Sequence, residues 1–481
     1  MKKIYIGIDV GTTSLKALAL TDEGETVATA KYSYELRAKG CEAEQNAEDW
    51  YNAAVLAIRE IAVAVKDIGE IRAISTSAQG GASVPLGENG EALTPAYSWM
   101  DNRATLECEE LKRIFGADAF YLRYGWRMQP NADAAKLLWM KNNIAEIYKN
   151  AKMIPSTLGF INGRLTGNCV EDPTCAAIRR LYDINERKMS EDILGYLALT
   201  EEKLPKTLPA GDVVGNLTAK AAEATGLPES VCVYNGAHDQ YCASIGSNAA
   251  ETGRLLLATG TAWVLFGVTD TPLFGESRIS PCIHPAGGYG ALSTVTGIGA
   301  AFEWLSRLTN TPISELSAGA AERKGKNKDL LFRPSATGTG LLIGQSLGAD
   351  ISGLSIGHDK FDLALALMEG AAFETALVVE EYKKSGMSAP SSLTMTGGAT
   401  ASAFWQSLIA EVMGLDVYAS KQTDSPALGA AIIAMAMENG EDIVSAARRA
   451  VAAQTKTSPS DYSDHYKAKF ESYKKWRASH K

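Results

Sequence analysis

Four short stretches of the chain carry residue types that could grip a phosphate and move a proton. The first is Asp9-Val10-Gly11-Thr12-Thr13, followed by Lys16. Ile4-Tyr5-Ile6-Gly7-Ile8 reads as a buried strand ending on the lone carboxylate, and Ser14 to Leu20 reads as the returning strand. Backbone N–H groups in such a turn cradle phosphate oxygens, and a carboxylate at a strand end is placed to hold hydrated magnesium. The plain alternative is an ordinary hairpin. The second stretch, Thr259-Gly260-Thr261, sits between the apolar strand Arg254 to Ala258 and a return over Ala262 to Val268. It echoes the first in structure rather than as a tandem repeat, and a nucleotide held by both would have its phosphates gripped from two sides. The third, Asp239, precedes a small-residue helix and reads either as a helix cap or as a base for a substrate hydroxyl; His238 reads as a hydrogen-bonded neighbour. In the fourth, Thr396-Gly397-Gly398-Ala399-Thr400, the glycines serve either close packing at a strand–turn–helix joint or a ledge against which a purine or ribose lies.

The elements that must position these residues follow from pattern. Thr26 to Tyr34 alternates like a third antiparallel strand. Asn46 caps a helix with Asp49 at its third position and an apolar stripe of Trp50, Val55, Ile58, Ile61 and Val65. Ile71 to Ser77 is a buried strand running into Ala78-Gln79-Gly80-Gly81-Ala82-Ser83. This β-β-β-α-β order resembles the ribonuclease H-like half of the actin-type ATPases. Trp99-Met100-Asp101-Asn102-Arg103 leads into an amphipathic helix ending near Ile114. Residues 115–210 read as alternating helices and loops, with Phe160 to Gly167 and Glu171 to Thr174 turn-like. Val231 to Gly236 is a strand, Ala403 to Met413 a helix, and Ser425-Pro426-Ala427-Leu428-Gly429-Ala430-Ala431 opens a helix built for close packing. The lysine-rich tail beyond 457 reads as a solvated helix.

Composition narrows the function classes. A length of 481 residues implies two or three domains. A net charge of −9 without a basic cluster argues against a nucleic-acid partner. Seven cysteines without a C-x-x-C pair fit reduced thiols rather than disulfides or a zinc site. No run of about 20 apolar residues offers a membrane span, and Met1-Lys2-Lys3-Ile4 is not followed by a signal-peptide core; a cytoplasmic protein is expected. A P-loop is absent, and Gly338-x-Gly340 with the next glycine at Gly344 fails the dinucleotide spacing.

Taken in order, the motifs resemble those of the FGGY-family carbohydrate kinases, in a xylulokinase-like or L-xylulose/erythritol kinase-like branch. The resemblance runs from about residue 4 to about 437. It rests on Gly7 to Thr13 with Lys16, Trp99 to Arg103, Gly236-x-x-Asp239, Thr259 to Thr261, Gly353-Leu354-Ser355-Ile356-Gly357 with Glu369-Gly370, Thr396 to Ala399 with Ser402 and Trp405, and Pro426 to Ala431. It implies an α/β fold of two ribonuclease H-like domains in the actin-like ATPase superfamily, 1–246 and 247–481, with the active site in the interdomain cleft. It implies ATP-dependent phosphorylation of a sugar or polyol hydroxyl with Mg2+. Asp239 corresponds to the catalytic base. Asp9 would organise the metal, and Gly11, Thr12, Thr13, Lys16, Thr259, Gly260 and Thr261 would face the phosphates. Gly397, Gly398 and Ala399 would border the adenosine, and Gln79, Gly80, Asp101, Arg103, Asp239 and Gln240 would shape the sugar site. A structural ion pair or helix cap is the other reading of Asp101 and Arg103.

Two departures bear on the substrate. The xylulokinase pattern has Gln-Met-His-Gly where this chain has Gln79-Gly80-Gly81-Ala82, so the sugar-facing histidine is missing there. After Phe332-Arg333-Pro334 the chain reads Ser335-Ala336-Thr337-Gly338-Thr339-Gly340, shorter than the Gly-Glu-Arg-x-Pro loop of many members. A small sugar, above all a pentulose such as xylulose, is the expected acceptor. A sugar acid of the gluconate kind, a tetritol or other alditol, and a catalytically silent sugar sensor are the alternatives. No membrane partner is expected, and a homodimer is the assembly to test.

Overall fold

The computed structural model describes residues 1–276, 279–326, 329–334, 349–420, 422, 424–451 and 454–479. The loop from Ser335, with Gly338, Gly340 and Gly344, lies outside these residues. The chain divides into two compact units. The first comprises Met1–Ala250, Pro281–Gly290 and Asp424–Val451; the second comprises Glu251–Ser280, Ala291–Thr423 and Ala452–Lys481. Segments 281–290 and 424–451, beyond the linear boundary at 246/247, therefore pack with the first unit. Among the described residues, no helix is long and apolar enough to cross a membrane.

The first unit is built on a six-stranded sheet. Its strands are β1 (Lys2–Val10), β2 (Ser14–Thr21), β3 (Thr26–Ser33), β4 (Gly69–Ala78), β5 (Val213–Asn216) and β6 (Cys232–His238), in the order β5-β6-β4-β1-β2-β3. Ile4, Ile6, Ile8 and Val10 are fully buried, as expected for a central strand covered on both faces. β1 runs antiparallel to β2 and parallel to β4, and β4 runs parallel to β6. The register sets Asp9 opposite both Lys16 and Ser77, and Ala237 and His238 opposite Ser77 and Ala78. The carboxyl ends of three parallel strands thus converge, the usual place for a ligand in an α/β sheet.

Two helices lock this end of the sheet. Helix Ala47–Val65 begins where the Asn46 side chain accepts from the Glu48 N–H, and it buries Trp50, Ile58, Ile61 and Val65. Helix Ser425–Asn439 packs at backbone range: a Cβ on Gly7 would stand 1.9 Å from the Ala427 carbonyl oxygen, and one on Gly429 1.9 Å from that of Cys242. Only side-chain-free positions permit this approach.

Two stretches differ from their sequence reading. Phe160 to Gly167 belongs to helix Thr157–Thr166, capped by Ser156 and ended by Gly167 at φ 80°. Asn162 and Gly163 are poor helix formers, but burial and two caps outweigh them. Asp172 caps the short helix Pro173–Ile178, its side chain accepting from the Thr174 and Cys175 N–H groups.

The second unit is organised on strands β7 (Arg254–Thr259), β8 (Trp263–Thr269), β9 (Tyr289–Thr296), β10 (Ser392–Gly397), β11 (Val417–Ala419) and β12 (Thr455–Thr457), in the order β9-β8-β7-β10-β11-β12. β7 runs antiparallel to β8 and parallel to β10, which sets Thr259 beside Gly397. Helix Lys360–Lys384 is buried along most of its length. The tail helix Ser463–Ser479 is not simply solvated: Tyr466, Phe470 and Tyr473 are buried, and Lys469 meets Glu369 at 2.6 Å. That contact explains a buried lysine in a segment whose composition reads as surface.

Candidate active site

In the first unit, Asp9 is 9% exposed and accepts a 2.8 Å hydrogen bond from the Ser77 hydroxyl. Burial pushes its carboxyl up to about 7, and the charge of Asp239 pushes the same way, against the Ser77 hydroxyl and the Lys16 ammonium. A buried carboxylate with another nearby is a site that wants a cation. The following turn closes where the Gly11 N–H donates to the Ser14 carbonyl, with Tyr34 Oη donating to the Gly11 carbonyl at 2.5 Å. Thr12 is pinned at both ends: its carbonyl accepts from Gln45 Nε2 at 2.7 Å, and its hydroxyl accepts from Trp99 Nε1 at 2.9 Å. Lys16 pairs with Asp424 at 2.8 Å.

Asp239 is the first residue of helix Asp239–Gly246 rather than its cap. The cap is His238, whose Nδ1 accepts from the Gln240 N–H at 3.3 Å. That nitrogen lies 3.2 Å from Asp239 Oδ1, but with its lone pair engaged it gives the carboxylate no proton. Asp239 Oδ1 is buried without a hydrogen-bond partner, as are Gln240 Oε1 and Gln79 Oε1. The imidazole of His238 fills the space over Gly80: a Cβ there would stand 2.4 Å from its Cδ2. The side chain missing at 80 is thus replaced by one from the neighbouring strand.

Asp101 and Arg103 form a closed ion-pair cluster. Asp101 is fully buried and accepts from the Ala43 N–H, while Arg103 reaches Asp101 and Glu44 at 2.7 and 2.6 Å and lies over Tyr97 and Trp139. This geometry positions the Trp99 segment and leaves Asp101 no exposed surface for a ligand.

In the second unit, the Thr259 hydroxyl donates to the Thr396 carbonyl at 2.6 Å and accepts from the Ala399 N–H at 3.1 Å, tying the two turns together. Gly397 takes φ 88°, where a Cβ would be 2.8 Å from the Thr259 carbonyl oxygen; only glycine fits such a turn without strain. Next to them opens a cavity of about 630 Å³, lined by Thr259 to Thr261, Gly398, Ala399, Phe302 and Trp405. Its size and largely apolar lining suit a nucleoside. A larger cavity in the first unit, about 1130 Å³, is lined by residues such as Tyr182, Arg187 and Lys206 and includes none of the expected site residues.

Within each unit, the expected residues therefore meet at strand ends: Asp9, Gln79, Gly80 and Asp239 in one, Thr259 to Thr261 with Gly397 to Ala399 in the other. Ser77, Gln45, Trp99 and Asp424 also hold the first cluster. Trp99 belongs to a motif visible in the sequence; Gln45 and Asp424 gave no local signal.

The chain has an α/β fold of two domains of the actin-like, ribonuclease H-like kind, and it is family membership that makes it a phosphotransferase with an alcohol group as acceptor. Family models for the N-terminal and C-terminal domains of the FGGY family of carbohydrate kinases match residues 4–246 and 255–438, and the chain belongs to that family. It is 27% identical over 439 residues to the xylulose kinase of Klebsiella pneumoniae, covering 90% of this chain and 89% of that one. Its fold is similar to the crystal structures of gluconate kinase from Lactobacillus acidophilus (TM-score 0.90, 24% identity, covering 100% and 98% of the two chains) and xylulose kinase from Rhodospirillum rubrum (TM-score 0.92, 24% identity, covering 99% and 98%). ATP and a sugar are the substrates of this family.

Proposed function

We propose that the chain transfers the γ-phosphate of ATP to one hydroxyl of a small sugar, with a pentulose such as xylulose as the favoured acceptor. The observation that carries this reading is the unpartnered Oδ1 of Asp239, at the strand ends beside the buried Asp9. A carboxylate there accepts the proton of the attacking hydroxyl, the role general-base catalysis requires. The Thr12 turn and the Thr259 to Thr261 turn position phosphate oxygens by their backbones, and Gly397 to Ala399 border the adenosine. Asp9 and its neighbouring carboxylates suit Mg2+, which is typically held by one or two carboxylates together with substrate phosphates. When bound, Mg2+ supplies charge neutralisation at the transferring phosphate. Among the described residues no all-protein metal cluster competes with this arrangement. The reading includes a cytoplasmic enzyme and a homodimer, the latter checked by sedimentation.

The test is ADP release against a panel of ketoses, alditols and sugar acids. Xylulose should raise ADP release well above the ATP-only background. A tetritol or gluconate preferred over every pentulose would move the assignment, and no stimulation by any acceptor would favour the silent sensor.

A further inference from the structure

The hydrogen-bond polarity of the strand-end cluster specifies the kind of acceptor it takes. The Thr12 carbonyl can only accept, so the Gln45 group facing it at 2.7 Å is its amide NH2. Gln45 Oε1 must then face the next residue, and Gln79 donates its own NH2 to it at 2.9 Å. Turning either amide over would set oxygen against oxygen. The relay therefore fixes Gln79, itself 2% exposed, with its carbonyl oxygen left over, buried and without a partner. The same logic holds for Asn131: its NH2 donates to the Trp99 carbonyl at 2.9 Å, and its Oδ1 is left without a partner. Trp99 in turn packs on Gly81, two residues from Gln79. With Asp239 Oδ1, three unpartnered oxygens have their polarity fixed as acceptors, Gln79 directly following the end of β4 and Asp239 the end of β6.

Three cations of the first unit already have partners. Lys16 pairs with Asp424. Lys136 is fully buried against Asp133 and the carbonyls of Gly81 and Ser98. Arg180 is buried, donates to the Arg127 and Ile178 carbonyls and lies over Trp126. At these three oxygens a carboxylate ligand, which only accepts, would find no donor; hydroxyl groups supply the missing donors.

We propose that the Gln79–Gln45–Thr12 relay makes the acceptor site selective for an uncharged polyhydroxylated molecule and against sugar acids, with Gln45 as the positioning residue. This rests on the kinase reading above and narrows its substrate class. Gln45 also ties acceptor recognition to the turn assigned to the phosphates.

The experiment pairs acceptors of equal chain length: xylitol with xylonate and erythritol with erythronate, with D-xylulose and D-gluconate added. Each is assayed for ADP release and for equilibrium binding by calorimetry in the presence of ADP. The wild type should prefer the neutral member of each pair by at least about a hundredfold, within the range expected when buried polar groups are left unpaired by the wrong ligand. Gln45→Met should cut that ratio at least tenfold, mainly through KM, because a freed Gln79 amide can turn its NH2 toward a carboxylate; Gln79→Met serves as the second variant. A purely structural role would lower both members of a pair alike and leave the ratio unmoved, which would overturn the proposal. So would a sugar acid that binds or reacts as well as its neutral partner, or failure of both classes to bind. Neutral ligands that bind selectively without any ADP release would sink the kinase reading and support the acceptor class.

Discussion

The helix that begins at Asp239 is tied down by a histidine whose titration can be read out. His284, in the 281–290 segment of the first unit, is 2% exposed. Its Nδ1 accepts from the Ala286 N–H at 3.0 Å, so Nε2 carries the proton and donates at 2.8 Å to the Ser244 hydroxyl, which donates to the Tyr241 carbonyl. Burial holds this imidazole neutral, lowering it from the usual 6.5 to about 3. Unfolding therefore takes up a proton below pH 6.5, and stability is lost as the pH falls from there toward 3. At pH 5 the unfolded imidazole is about 1.5 pH units into its protonated range while the folded one is still neutral. At about 1.36 kcal/mol per unit, acidification from pH 7 to 5 should cost about 2 kcal/mol through this residue alone. His284→Asn keeps an acceptor for Ala286 and removes the titration. Urea unfolding at pH 7, 6 and 5, followed by tryptophan fluorescence and circular dichroism, should find the variant less stable at pH 7 but with the gap to wild type shrinking by about 2 kcal/mol at pH 5. Other titrating groups cancel in that difference. A gap constant with pH would refute the reasoning.

Three further perturbations test other links. Asp239→Asn should lower sugar-dependent turnover by about 10²–10⁴, the contribution of a general base, while calorimetry finds ADP affinity unchanged; near-wild-type turnover would remove Asp239 from the base role. Ala318→Trp places an indole in the 630 Å³ cavity of the second unit, so ADP binding should weaken at least tenfold while acceptor binding in the first unit is kept. Lys469→Met leaves Glu369, whose carboxyl burial already pushes up to about 7, without its buried partner. Breaking one side of such a pair costs about 3–5 kcal/mol, so melting should drop sharply, and Glu369→Leu added to it should recover part of the loss.

What the sequence made legible follows the range of the interactions. The Asp9 hairpin, strand β4 and helix Ala403–Met413 are encoded by local periodicity and turn residues, and they form where those signals place them. The strand-end residues of both candidate clusters were legible for the same reason. Helix Thr157–Thr166 was hidden because the local signal points the other way: Asn162 sits in its interior, where its side chain bonds the Val170 carbonyl and Asn235 Oδ1. Those partners exist only once the chain has folded. Asp101 is a different case: its motif allows either a sugar contact or a structural ion pair, and only the contacts with Arg103 and Ala43, with Glu44 on the far side of Arg103, show that the ion pair forms.

Lys16 carries the consequence furthest. By spacing it reads as a phosphate contact, yet its ammonium meets Asp424, from a segment near the other end of the sequence that packs on β1. Asp239 and Asp424 both raise the Asp9 carboxyl, and Lys16 is the cation that opposes them. One lysine against three carboxylates leaves a net charge of −2 when all are ionised. A second lysine would cancel part of that charge permanently. Left uncancelled, that charge would suit the divalent ion which the proposed kinase reading brings in with the nucleotide, while the Lys16–Asp424 pair ties the start of helix Ser425–Asn439 to β2.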